Sequence, residues 1–130
     1  MANDLFAVAA LLWIAAAVLS LIRGRVALAQ GALVAGGLAA VAGTAITLPD
    51  ASATAALPLR MAAETSTFRL TPEALWLLGF GLVPAIFACW LGTPERAARG
   101  PWCFGAALSL LGALGVFGVQ HAGFFLLSWE

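Results

Sequence analysis

The chain has 130 residues, 63% of them hydrophobic and only 9% charged, with a formal net charge of zero. Soluble domains of this size carry far more polar surface, so the composition points to a membrane. The six basic residues are all arginines and are matched by six acids. No basic face is available to meet phosphates, which excludes nucleic-acid binding and a polybasic membrane-surface anchor.

The opening Met1-Ala2-Asn3-Asp4 is acidic and leads into an apolar segment, residues 5–22. Ala15-Ala16-Ala17 looks like a signal-peptidase site, but Arg23 and Arg25 follow the apolar stretch instead of preceding it. That polarity is wrong for a cleaved signal, so a retained helix is expected. A second apolar segment covers residues 26–48. Its small residues Gly31, Ala35, Ala39 and Gly43 recur every four positions, with Gly36 and Ala40 on an adjacent stripe. Small residues let helix backbones approach closely in lipid, here more readily between helices of one bundle than across a dimer.

A longer loop, residues 49–73, follows. Pro49 to Thr54 is a small polar connector. Residues 57–61 and 65–70 read as two extended pieces around Ala62-Ala63-Glu64. The second is rich in threonine and carries Phe68, which suggests a short surface β-hairpin. Thr71-Pro72-Glu73 then has the form of a helix start. Threonine can cap, proline suits the first turn, and an acid favours the positive end of the dipole.

The third apolar segment is residues 74–91. Pro84 interrupts it, with Gly79 and Gly81 just before, and a kink is expected there. The third loop, residues 92–100, holds Glu95, Arg96 and Arg99. Trp90 and Trp102 flank it as interfacial aromatics would, whereas Trp13 and Trp76 fit that role less well. Cys89 and Cys103 lie on either side of the same loop. With a single His121 they cannot complete a four-ligand zinc site, so two free apolar thiols and no metal are expected. A fourth segment covers residues 102–119, with Gly105, Gly112, Gly115 and Gly118, and a fifth begins at residue 123 and reaches Glu130.

Each of the first four segments reaches the roughly 18 to 20 residues that cross a bilayer as a helix. Backbone groups in lipid must satisfy one another, which favours helices. The expected fold is therefore a single all-α membrane region, residues 1–130, with four transmembrane helices and the start of a fifth. Arginines concentrate in the first and third loops, so the positive-inside rule puts those loops in the cytoplasm. The N-terminus, the long loop and His121 then lie outside, and the fifth helix runs inward.

Little of this chain suits enzyme chemistry. Its glycines sit inside apolar helices, so there is no phosphate loop. His121 falls at a predicted helix boundary, where a headgroup-level role at the outer interface suits it better than haem ligation. Glu130 is different. Entering from the outer face, it lies roughly 10–13 Å deep at about 1.5 Å per residue. Half of the hydrocarbon core is about 15 Å, so this acid approaches mid-membrane. An ionisable group at that depth is costly and marks a candidate site for proton transfer. A carboxyl there favours its neutral form until a cation approaches, so it can take up and release a proton. The alternative is an exposed last residue of a frayed helix.

Two stretches carry a family resemblance. Phe68-Arg69-Leu70-Thr71-Pro72-Glu73-Ala74-Leu75-Trp76 resembles the start of transmembrane helix three in the antiporter-like membrane subunits. Those subunits are shared by respiratory complex I, Mrp-type cation/proton antiporters and membrane-bound nickel-iron hydrogenases. Phe124-Phe125-Leu126-Leu127-Ser128-Trp129-Glu130 resembles the start of their helix five, and Glu130 occupies the position of the family's essential glutamate. The chain is most similar to the N-terminal part of the hydrogenase-4 component B and formate hydrogenlyase subunit 3 group. Complex I relatives often carry an aspartate where Thr71-Pro72 stand here, which pulls toward the hydrogenase-type branch.

The resemblance implies a multi-pass proton-translocating subunit of the cell's inner membrane, without a redox cofactor. Its partners would be the other membrane subunits of a respiratory hydrogenase or complex I-like assembly, and its cargo protons or cations. Family proteins are several times longer, and their partner lysine on helix seven is missing here. The chain thus reads as an N-terminal fragment that is not catalytic by itself. A small polytopic structural or assembly subunit without transport activity is the rival reading. A short dimeric transporter is weaker, since the first four predicted helices carry no internal ionisable residue.

Overall fold

The computed structural model describes residues 2–47, 55–61, 64–91 and 100–118. Helix α1 runs Ala2–Leu21 and starts before the apolar stretch, with Asp4 in its first turn at the positive end of the dipole. The chain then reverses in four residues. The Ile22 N–H donates to the Leu19 carbonyl and the Arg25 N–H to the Ile22 carbonyl, each at 3.1 Å. Gly24 makes the reversal with φ at 84°, a left-handed conformation that costs glycine nothing and other residues about 1–2 kcal/mol. Helix α2 follows over Val26–Thr47.

Strands β1 (Ala55–Met61) and β2 (Glu64–Leu70) pair antiparallel, with Ala55 opposite Leu70 and Met61 opposite Glu64. Pro58 faces Thr67 in this register. Each strand of a two-stranded sheet has a free edge, so a proline that cannot donate is tolerated.

Helix α3 occupies residues 72–91 in three consecutive parts: an α-helical turn Pro72–Leu75, a π-helical stretch Trp76–Leu82, and an α-helical part Val83–Leu91. Thr71 caps it. The Ala74 N–H donates to Thr71 Oγ1 at 3.3 Å and the Leu75 N–H to the Thr71 carbonyl at 2.9 Å. Helix α4 spans Gly100–Gly118, with Pro101 in the first turn, where a missing N–H costs no hydrogen bond.

Among the described residues, three helices are long and apolar enough to cross a membrane: Asp4–Leu21, Val26–Thr47 and Gly100–Gly118. The apolar part of α3 within the described residues, Glu73–Phe87, is shorter. Large apolar side chains point outward, among them Leu11 (65% exposed), Leu38 (65%) and Trp76 (59%). Apolar exposure this extensive is normal against lipid and would mark an aggregation surface in water.

The interior is lined by Phe6, Trp13, Leu33, Leu75, Leu78 and Leu110, all fully or almost fully buried. Helix α1 packs against α2 and α4, and α2 packs against α3 as well. Close approach comes from α2. A Cβ on Gly36 would meet the Trp13 indole and one on Gly43 the Phe6 ring, both on α1. A Cβ on Gly37 would meet Val83 and Phe87 of α3. The four-residue stripe that begins at Gly31 does not follow this interface, because Gly31 and Ala35 are exposed. A helix of 3.6 residues per turn carries a strict four-residue repeat off any fixed face. The buried face follows Ala29, Leu33, Gly36, Gly37, Ala40, Gly43, Thr44 and Thr47 instead.

Candidate functional site

The two ionisable candidates, Glu130 and His121, lie outside the described residues, as do most of the third loop and the segment expected to begin a fifth helix. Pro84 is described: it is exposed near the start of the last part of α3, two residues after the π-helical stretch ends at Leu82. The juxtaposition has a cause. In an α-helix the proline ring collides with the carbonyl four residues back. The wider π turn, in which the Val83 N–H bonds to the Leu78 carbonyl, relieves that crowding. Gly79 and Gly81 within the stretch leave the backbone free of Cβ restraints.

Among the described residues, the buried Ser20, Thr44 and Thr47 hydroxyls turn to their own helices. Ser20 donates to the Ala17 carbonyl at 2.6 Å, Thr44 to the Ala40 carbonyl at 2.9 Å, and Thr47 to the Gly43 carbonyl. Such back-bonding satisfies a hydroxyl where there is no water. Trp13 is buried with its indole N–H unpaired among the described residues, pressed against Gly36. Cys103 is a buried free thiol, while the side chain of Cys89 lies outside the described set. Among the described residues no three His, Cys, Asp or Glu side chains come together.

Between α3 and α4 opens an apolar groove of about 490 Å³, lined by Leu82, Ala85, Ile86, Trp102, Gly105 and Ser109 among others. Among the described residues its lining is apolar apart from the Ser109 hydroxyl, a surface suited to an apolar body. On α3 the Trp76 and Phe80 rings stack edge to face, 5.9 Å apart at 80°, on the exposed side. At the start of that helix, Glu73 is fully exposed. Its own backbone N–H and then the Thr71 hydroxyl hold its carboxyl below the usual range.

The ends of the bundle are identifiable. The backbone of Gly100, at the start of α4, comes so close to the Ser20 carbonyl near the end of α1 that a Cβ there would lie 2.6 Å from it. The end of α1 and the start of α4 therefore share one end of the bundle. Comparison with protein-family models, curated proteins and solved structures finds no match for this chain.

Proposed function

We propose that the chain is the N-terminal part of a proton-translocating, antiporter-like subunit of a membrane-bound hydrogenase or complex I-type oxidoreductase. Glu130 is its intramembrane proton switch. The observation that carries this reading is an acid at the end of an otherwise apolar run, Phe124 to Glu130; inserted as a helix, that run would carry it to a depth where a carboxylate is costly. In this arrangement the chain contributes four spans and the beginning of a fifth, with α3 as the third span and β1 and β2 as an outer-face hairpin. The N-terminus lies outside the inner membrane. The meeting of Gly100 with Ser20 is compatible with this orientation, since it brings the start of α4 beside the end of α1, next to Arg23 and Arg25.

Electron transfer would occur in partner subunits, and Glu130 would exchange its proton under the influence of a lysine from a later helix. The test is the full-length chain carrying Glu130→Gln, reconstituted with its complex in vesicles. Glutamine keeps the shape and removes the titration. Proton translocation is expected to fall by roughly two orders of magnitude, the scale of losing one acid–base group, with electron transfer retained in part. Unchanged translocation removes the role.

One observation favours the second reading, a structural or assembly subunit. The buried hydroxyls of the described helices all bond within their own helices and offer no ion a ligand set. The nucleotides beyond codon 130 separate the two. An open frame encoding further apolar helices and a lysine about two helices on supports the proton route, whereas a stop codon supports the structural role.

A further inference from the structure

The π-helical stretch of α3 leaves the carbonyl of buried Gly79 without its regular helical donor. The Val83 N–H bonds to the Leu78 carbonyl, five residues back. The Gly79 carbonyl would receive the N–H of residue 83 in an α-helix or of residue 84 in a π-helix. The first donor is engaged, and the second residue is Pro84, which has no N–H. Helix α3 thus lacks the regular donor to this oxygen in either pitch, and Gly79 is buried. Buried backbone carbonyls are paired almost without exception, and in lipid the penalty is larger than in water.

Thr44 of α2 stands directly against Gly79. Its Cβ and Cγ2 lie 2.7 and 2.9 Å from where a Cβ on residue 79 would be, and its Oγ1 is closer still. Thr44 is fully buried, and its hydroxyl donates to the Ala40 carbonyl at 2.9 Å. That carbonyl is also the regular helical acceptor of the Thr44 N–H, so the hydroxyl adds a second bond to an oxygen already served. Threonine populates two χ1 wells in a helix, unlike valine.

We propose that Thr44 is a latch between α2 and α3. Its hydroxyl exchanges between the Ala40 carbonyl and the orphaned Gly79 carbonyl, and in the second position it ties the π turn to α2. The consequence is positional. Val83 and Phe87, one and two turns further along α3, pack on Gly37 of α2, so the latch governs how the second half of α3 seats on the bundle. The device stands on Thr44 of α2 and the backbone of α3, and is independent of the role assigned to Glu130.

Residue-resolved amide exchange of the full chain in lipid nanodiscs tests the latch. Thr44→Val keeps the shape and removes the hydroxyl, and it is expected to speed exchange of the amides of residues 80–83 by roughly three- to tenfold, with α1 unchanged. Thr44→Ser restores protection. Pro84→Ala supplies the missing N–H, so in that background Thr44→Val is expected to change nothing. An equal effect of Thr44→Val in both backgrounds overturns the proposal, as does an unchanged rate in the single variant. If Thr44→Val loosens α1 as well, Pro84→Ala must restore the protection of α1, and failure to do so also overturns it.

Discussion

A methyl group added at Gly36 would lie 2.6 Å from the indole nitrogen of Trp13 and 3.1 Å from the Ala9 carbonyl. The same group at Gly31 would meet nothing within 4 Å. The indole is fully buried and has no room to retreat. Gly36→Ala is therefore expected to destabilise the bundle by about 1–3 kcal/mol, the usual penalty of overpacking. Gly31→Ala should stabilise by about 0.5–1 kcal/mol through helix propensity alone. Reversible unfolding of the two variants in mixed micelles measures both, and equal effects would remove the interface assigned to Gly36. Of these two glycines, sequence spacing singles out both alike. Only the neighbour across the interface distinguishes them, and that neighbour, Trp13, is 23 positions away in the chain. Trp13 itself fits an aromatic belt poorly by position, and its burial supplies the reason: it fills volume between α1 and α2.

Among the elements, α3 shows best what hydropathy can and cannot reveal. Its start is legible, because Thr71, Pro72 and Glu73 each favour a helix N-terminus for a separate physical reason, and the Thr71 hydroxyl does accept the Ala74 N–H. Its pitch is not legible. Hydropathy registers how apolar a segment is and not whether its hydrogen bonds skip four residues or five. Pro84 signals a disturbance, but the π stretch depends on what packs around it, with Thr44 filling the space beside Gly79. The helix start carries a pH dependence. The Glu73 carboxyl is held below its ordinary range by its own backbone N–H and by Thr71. A depressed carboxyl adds stability that is present above its unfolded value and is lost as pH falls through the lowered folded value. Protection of the first turn of α3, followed by amide exchange across the acid range, is expected to drop on acidification in the parent chain. Glu73→Gln should abolish that drop, and an identical acid response in the variant would place its origin elsewhere.

For the molecule as a whole, the membrane character is plain from composition, since a mean hydropathy of +1.03 and apolar runs of this length leave little else for the chain to be. The structure adds three helices with the length and apolarity to cross a bilayer and an outer surface of leucine, isoleucine and aromatic side chains. The proton route is a different matter. As proposed, it rests on Glu130 and on a resemblance in two short stretches. Apolar helices resemble one another for reasons of solvent alone, so bundle architecture by itself carries no function.

The depth of residue 130 tests the proton switch most directly. In a full-length chain with Cys89 and Cys103 replaced by alanine, Glu130→Cys is placed in membrane vesicles and challenged from each side with a water-soluble maleimide. Asn3→Cys serves as the exposed control. A switch inside the bilayer predicts labelling at position 3 from the outside and protection at position 130 from both sides. Rapid labelling at position 130, at the rate of the control, would contradict it.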